Sequence, residues 1–214
     1  MYVDGELPDR RGVRRRVSGP PTMMFTATAP VPSLDRVQTL EPKLPGDVVY
    51  LLGETRDELG GSALYSLFGH TGLNVPQTDL EASWRLGLAV ARALERGLLA
   101  SVCVVARGGV ACALARMALA GELGLEVDLD LAPARGGLDA LRRLFSESTG
   151  RYLVTLDPAR AEEFEALLAD IPFAAVGRVA RHRRLVIAAA GRTVVDQAVG
   201  ALRRAWRRRF GRLV

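Results

Sequence analysis

With 214 residues, 49% of them hydrophobic and 25% charged, the chain can bury a sizeable core as one large domain or two small ones. Its net charge of +5 rests almost wholly on arginine, Lys43 being the one lysine among 29 basic residues, and neither basic cluster (10–16 or 203–212) interleaves the aromatics of a base-stacking surface, so nucleic acid is not an expected partner. Cys103 and Cys112 make neither a disulfide framework nor a zinc set, the charged start lacks a secretory core, and no apolar run approaches a membrane span, which predicts a reducing, cytoplasmic setting.

Residues 1–21 are polar and basic, broken by Gly19-Pro20-Pro21, and read as a loose arm or frayed hairpin ahead of a domain over 22–214. Strands are expected at 22–31 and, shorter, at 36–40, with a turn at 44–47. "VVYLLGE" (48–54) is β-branched and aromatic and predicts a buried strand. A short helix follows at "ALYSLFG". Asp79 is placed to cap a long helix over 80–97 that Gly97 ends.

A strand over 100–106 turns through Gly108-Gly109 into a helix at 110–120. The alternation of "LEVDLDL" predicts a strand at 125–131, followed by a helix over 137–146 and a strand over 151–157. Asp157-Pro158 caps and starts a helix over 158–169. "FAAVGRV" (173–179) and "RLVIAA" (184–189) read as a hairpin around "ARHRR". The closing helix over 193–210 carries Val195, Val199, Leu202, Trp206, Phe210 and Leu213 on one inward face, with its arginines solvated. Strands and helices mix without regular βαβ spacing, which favours an α+β layered domain over a doubly wound one.

Two glycine turns stand before helices. Gly60-Gly61-Ser62 offers close backbone approach, helix N–H groups and a hydroxyl, and reads as either an anion cradle or a plain cap. Gly108-Gly109 has the same form without a hydroxyl, which favours close packing. Ser146, Glu147, Ser148 and Arg151 lie together between a helix end and a strand; a carboxylate flanked by hydroxyls can orient a ligand or tie down a turn. His70 and His182 fall in loops without evident partners, and no catalytic residue or metal ligand set is expected.

Taken together, "VVYLLGETRDELGGS", "GLLASVCVVARGGVACALARMALAGELGLEVDL" and "LFSESTGRYLVTLDP" resemble, in collinear order, the C-terminal part of phosphoribosylformylglycinamidine synthase. The resemblance covers roughly residues 20–208 and implies membership of the aminoimidazole ribonucleotide (AIR) synthetase superfamily. It implies an α/β/α layered C-terminal domain with a mixed, partly ferredoxin-like sheet. It also implies an ATP-dependent C–N ligase of purine biosynthesis that converts formylglycinamide ribonucleotide to its amidine. By this resemblance Glu54, Thr55, Gly60, Gly61 and Ser62 line the cleft for the ribonucleotide, and Glu147 and Ser148 keep the family's Phe-Ser-Glu-Ser pattern.

Two departures qualify it. The ATP-binding N-terminal domain expected before residue 20 is absent, Met1 falling about where the family's Gly-Lys-Asp-Ser-Met motif ends. ATP and Mg would therefore be held mainly elsewhere, with no cofactor on this chain alone. The expected partners are a separate N-terminal synthase domain and a glutaminase subunit, or a second copy by self-association. In addition, the family's His-Asp-x-Ser-Asp-Gly-Gly pattern is degenerate: Cys103, Val104, Ala106 and Arg107 replace the functional groups while Gly108 and Gly109 remain. Arg107 reverses a charge, so it either meets a phosphate or marks lost function. A fragment that works with partners and a non-catalytic ligand-binding or assembly module are the two readings this leaves.

Overall fold

The computed structural model describes residues 3–19, 24–31 and 33–208. The chain divides into two compact units, residues 1–34 and 35–214. In the first, β1 (Val3–Pro8) and β2 (Arg14–Gly19) form an antiparallel hairpin with Glu6 opposite Arg16 and Leu7 opposite Arg15. Asp9 organises its loop, accepting the N–H groups of Arg11 at 2.8 Å and Val13 at 3.1 Å. The strand expected over 22–31 does not form: residues 24–31 have no regular structure, and 22–23 lie outside the described residues.

The second unit is built on a seven-stranded sheet. Its strands are β3 (Val48–Leu52), β4 (Ser101–Val104), β5 (Gly124–Asp128), β6 (Tyr152–Leu156), β7 (Phe173–Ala180), β8 (Arg184–Ala189) and β9 (Arg192–Ala198). They run in the order β4-β6-β3-β7-β5-β8-β9, antiparallel except for the parallel β5–β8 pair. The helices are α1 (Ala63–Leu67), α2 (Leu80–Glu95), α3 (Gly109–Gly121), α4 (Ala140–Phe145), α5 (Ala161–Glu165) and α6 (Val199–Arg207). The strand expected at 36–40 is absent; residues 37–40 have no regular structure.

Strand alternation sorts the core into two layers. Val49 and Leu51 of β3 point to the face covered by α3, α4 and α6, where Val110, Leu114, Met117, Leu144 and Val199 are buried. Tyr50 and Leu52 point to the opposite face, under α2 and α5, with Leu86, Val90, Phe164 and Leu168. There the Tyr50 hydroxyl donates to Glu165 at 2.6 Å and its ring meets Phe164 edge-on. The result is the expected α+β fold, a mixed sheet layered between helices.

Two expectations near the end of the chain are corrected. β7 and β8 do not pair, because β5 lies between them. The connection over 181–183 crosses the start of β5 instead, and Gly124 permits it, since a Cβ there would collide with the His182 carbonyl. The antiparallel partner of β8 is β9, whose run Arg192-Thr193-Val194-Val195 carries β-branched residues that hold it extended; the helix begins only at Val199. Val199 and Leu202 pack inward as expected, but Trp206 is 71% exposed. Phe210 and Leu213 lie outside the described residues.

Candidate functional site

The segment leaving β3 is held open and extended by its neighbours. Gly53 sits at φ 82°, a left-handed backbone against which the Gly150 carbonyl leaves no room for a Cβ. Thr55 is buried, donating its N–H to the Pro133 carbonyl and accepting the Arg135 N–H, each at 2.9 Å. Arg56 N–H donates to Ser148 Oγ at 3.0 Å, Glu58 N–H to Ser146 Oγ at 3.4 Å, and Glu147 N–H to the Glu58 carbonyl at 3.1 Å. The Phe-Ser-Glu-Ser segment is thus laced onto Thr55–Glu58 by backbone and hydroxyls together.

Arg151 forms the hub of this lacing and is fully buried. Its guanidinium donates to Ser148 O at 3.0 Å, Thr55 Oγ1 at 2.9 Å and Ser146 O at 2.6 Å. Burial lowers its pKa to about 10, against the opposing pull of the Glu58 and Glu147 carboxylates. It therefore stays charged at neutral pH. Glu58, also buried, accepts the Gln77 N–H at 2.9 Å through Oε1, while Oε2 has no partner among the described residues.

Glu147 joins the two glycine turns. Its Oε1 accepts the Ala63 N–H at 2.7 Å and the Gly108 N–H at 2.8 Å, so one carboxylate oxygen serves the first turns of both α1 and α3. In the first turn the Gly60 N–H goes to Asn74 O at 2.8 Å and the Gly61 N–H to Thr71 O at 2.6 Å. Ser62 is buried and caps α1, its Oγ accepting the Tyr65 N–H at 3.2 Å. The N–H groups and the hydroxyl of this turn are engaged within the chain.

At the second turn both glycines are required by geometry. Gly108 and Gly109 have φ 84° and 65°, and a Cβ on Gly109 would stand 2.6 Å from the Leu144 carbonyl at the end of α4. The close packing here is helix against helix end. Cys103 is buried beside Arg116, whereas Val104, Ala106 and Arg107 are exposed, and Arg107 makes no ion pair among the described residues. No group of three or more His, Cys, Asp and Glu among the described residues is placed to hold a metal ion.

A cavity of about 260 Å³ opens between the segment leaving β3 and the start of α2, lined among others by Glu54, Arg56, Asp79, Arg85, Arg135 and Asp170. Glu54 bridges Arg135 at 3.1 Å and Arg56 at 3.4 Å. Of the residues named from sequence, Glu54 lines this cavity; Thr55, Gly60, Gly61, Ser62, Glu147 and Ser148 do not, though Ser148 accepts the N–H of its lining residue Arg56. Arg56, Arg135 and the buried Arg151 and Glu58 carry much of the local charge. Arg56 and Arg135 gave little signal, because scattered arginines are the habit of this whole sequence, whereas Arg151 stood out beside Glu147. His182, expected to lack a partner, bonds Glu126 at 2.7 Å, which also pairs with Arg178.

Residues 45–189 match the family described as AIR synthase related protein, C-terminal domain. The chain is 40% identical over 149 residues to the phosphoribosylformylglycinamidine synthase subunit PurL of Thermococcus sibiricus, covering 70% of this chain and 21% of that protein. It is 41% identical over 175 residues to the Symbiobacterium thermophilum subunit, covering 79% and 22%. Among solved structures, Thermotoga maritima PurL complexed with FGAR aligns over 79% of this chain and 30% of its own, with a TM-score of 0.70 at 23% identity, a likeness of fold. The chain spans about a fifth of the length of these curated relatives.

Proposed function

The chain belongs to the AIR synthase related family through its C-terminal domain, and on that premise we propose that it supplies the C-terminal, ribonucleotide-facing part of a phosphoribosylformylglycinamidine synthase. In this reading the ATP-dependent conversion of formylglycinamide ribonucleotide to its amidine needs an N-terminal synthase domain and a glutaminase. The observation that carries it is the arginine-lined cavity against the laced wall of Thr55–Glu58 and Ser146–Ser148. Arg56, Arg85 and Arg135 offer cationic donors to a ribose phosphate, and Glu54 offers an acceptor for a ribose hydroxyl.

The proposed contribution of Gly60, Gly61 and Ser62 is positional. With their backbone donors engaged inside the chain and the Ser62 hydroxyl oxygen capping α1, they hold the loop that Glu147 anchors rather than cradling the phosphate. ATP and Mg enter with the N-terminal domain. The residues at 103, 104, 106 and 107 supply no carboxylate to a metal, so no step is drawn through a metal on this chain.

A second reading, a non-catalytic ligand-binding or assembly module, is favoured by that same run from Cys103 to Arg107. Thermal stability with formylglycinamide ribonucleotide and ATP, measured with and without a family N-terminal domain, separates the two. Under the first reading the ribonucleotide raises Tm of the mixture, and turnover appears when glutaminase is added. Stabilisation without turnover supports the module, and no stabilisation in either sample removes both.

A further inference from the structure

Of the three acids lining the cavity beside β3, one already stands where a ligand anion would. Glu54 Oε2 lies 3.1 Å from Arg135 Nε and 3.4 Å from Arg56 Nε, so a single carboxylate oxygen bridges two guanidinium groups. Asp79 instead caps α2, accepting the Ala82 N–H, and neither Asp79 nor Asp170 makes an ion pair among the described residues. The backbone carrying the bridge is fixed: Thr55 pairs with Ala134, and the Arg56 N–H donates to Ser148 Oγ at 3.0 Å. The side chains are freer, that of Arg135 being 71% exposed, that of Arg56 28% and that of Glu54 23%. Partly exposed ion pairs of this kind are weak, so Glu54 can leave both arginines without disturbing the fold around them.

We propose that Glu54 is an exchangeable anion of this cavity and sets its preference for a phosphorylated sugar over a phosphate ester that carries no hydroxyl. The proposal rests on the reading of the cavity as the ribonucleotide site. An incoming phosphate takes over Arg56 and Arg135, offering several oxygens where Glu54 offers one. Arg85, which lines the same cavity and makes no ion pair among the described residues, adds a third cation to it. The released carboxylate is then left beside a second negative charge, which opposes binding. A sugar hydroxyl on the same ligand donates to Glu54 and offsets that repulsion, whereas a ligand without one does not. Selectivity therefore comes from a repulsive element as well as from the arginines.

Calorimetric titration of the full chain with methyl phosphate and with ribose 5-phosphate, both dianions at about pH 8, tests it. The wild type is expected to bind ribose 5-phosphate the more tightly. Glu54→Gln should bind methyl phosphate about tenfold more tightly than the wild type, on the scale of two lost, partly exposed ion pairs. Its affinity for ribose 5-phosphate should change less, so that the preference narrows. In the Arg56→Ala/Arg135→Ala background the gain from Glu54→Gln should vanish. Methyl phosphate bound no more tightly by Glu54→Gln overturns the exchange and leaves the ribonucleotide reading of the cavity untouched. Equal affinity of the wild type for the two ligands, or a gain that survives loss of both arginines, also overturns it. Binding of neither ligand to either protein overturns the exchange and that reading together.

Discussion

Glu147 and Gly108 are joined by a 2.8 Å hydrogen bond in which the glycine N–H donates to the carboxylate, and the same oxygen accepts the Ala63 N–H at 2.7 Å. One side chain therefore fixes the spacing between the starts of α1 and α3, the place where an external anion would otherwise find paired donors. Glu147→Ala should destabilise the fold by about 2–3 kcal/mol by leaving both donors unpaired, and Glu147→Gln, which keeps a neutral acceptor oxygen, by about 1 kcal/mol. Urea unfolding of the two variants measures the difference; equal losses would show that the carboxylate acts through its charge, which both variants remove.

The two glycine turns should respond differently to a methyl group. Gly109→Ala meets both a left-handed backbone and the Leu144 carbonyl, and should cost about 3 kcal/mol or more. Gly61→Ala has a φ of 69° but open space, and should cost about 1–2 kcal/mol. Thermal unfolding of the pair checks the order.

This contrast shows what the residues alone could disclose. Asp79 as the cap of α2, the strands at β3 and β6 and the mixed layered fold were readable because periodicity and capping act locally. The insertion of β5 between β7 and β8 was not, since it depends on Gly124 letting a distant connection pass over it. The β-branched residues at 193–195 satisfied a helical stripe as well as a strand, and long-range pairing with β8 decided the matter. At the site, Glu54 and Glu147 were singled out and Arg151 was named beside Glu147, but that Arg151 is the hub follows from its burial, which the residue pattern does not disclose.

Arg151→Met should be among the most damaging single substitutions in the wall. It removes the donor to Thr55 Oγ1 and to the Ser146 and Ser148 carbonyls, and leaves buried Glu58 without its countercharge. A loss of about 3–5 kcal/mol is expected by chemical denaturation. Arg151→Lys should recover part of it at most, because an ammonium cannot reach all three acceptors in the plane of a guanidinium.

Asp130 gives a prediction in pH. Its carboxylate accepts the Ala190 and Gly191 N–H groups at 2.9 and 2.8 Å, clamping the β8–β9 turn, and the Gly191 bond, followed by that of Ala190, lowers its pKa below 3.8. A depressed carboxylate contributes stability that is present above its ordinary pKa and lost as pH falls through the lowered value. The wild-type advantage over Asp130→Asn should therefore be constant near neutrality and vanish in acid below that range. Unfolding curves of both proteins from pH 7 down to strongly acidic conditions follow it.

The exposed Arg107 offers a control for the site. Arg107→Ala should leave stability within about 0.5 kcal/mol of wild type, as expected of a surface residue without a partner. It should also leave ribonucleotide binding unchanged. A binding loss in this variant would return the degenerate turn to the site.

The central claim is that the arginine-lined cavity next to Glu54 receives the ribonucleotide phosphate, and calorimetric titration of formylglycinamide ribonucleotide tests it most directly. The titration is made into this chain mixed with a family N-terminal domain, alongside the Arg56→Ala/Arg135→Ala double variant. Saturable binding that the double variant weakens by about 100-fold is the predicted result, on the scale of two lost charge-assisted contacts. Binding of equal strength in both proteins, or none in either, would contradict it.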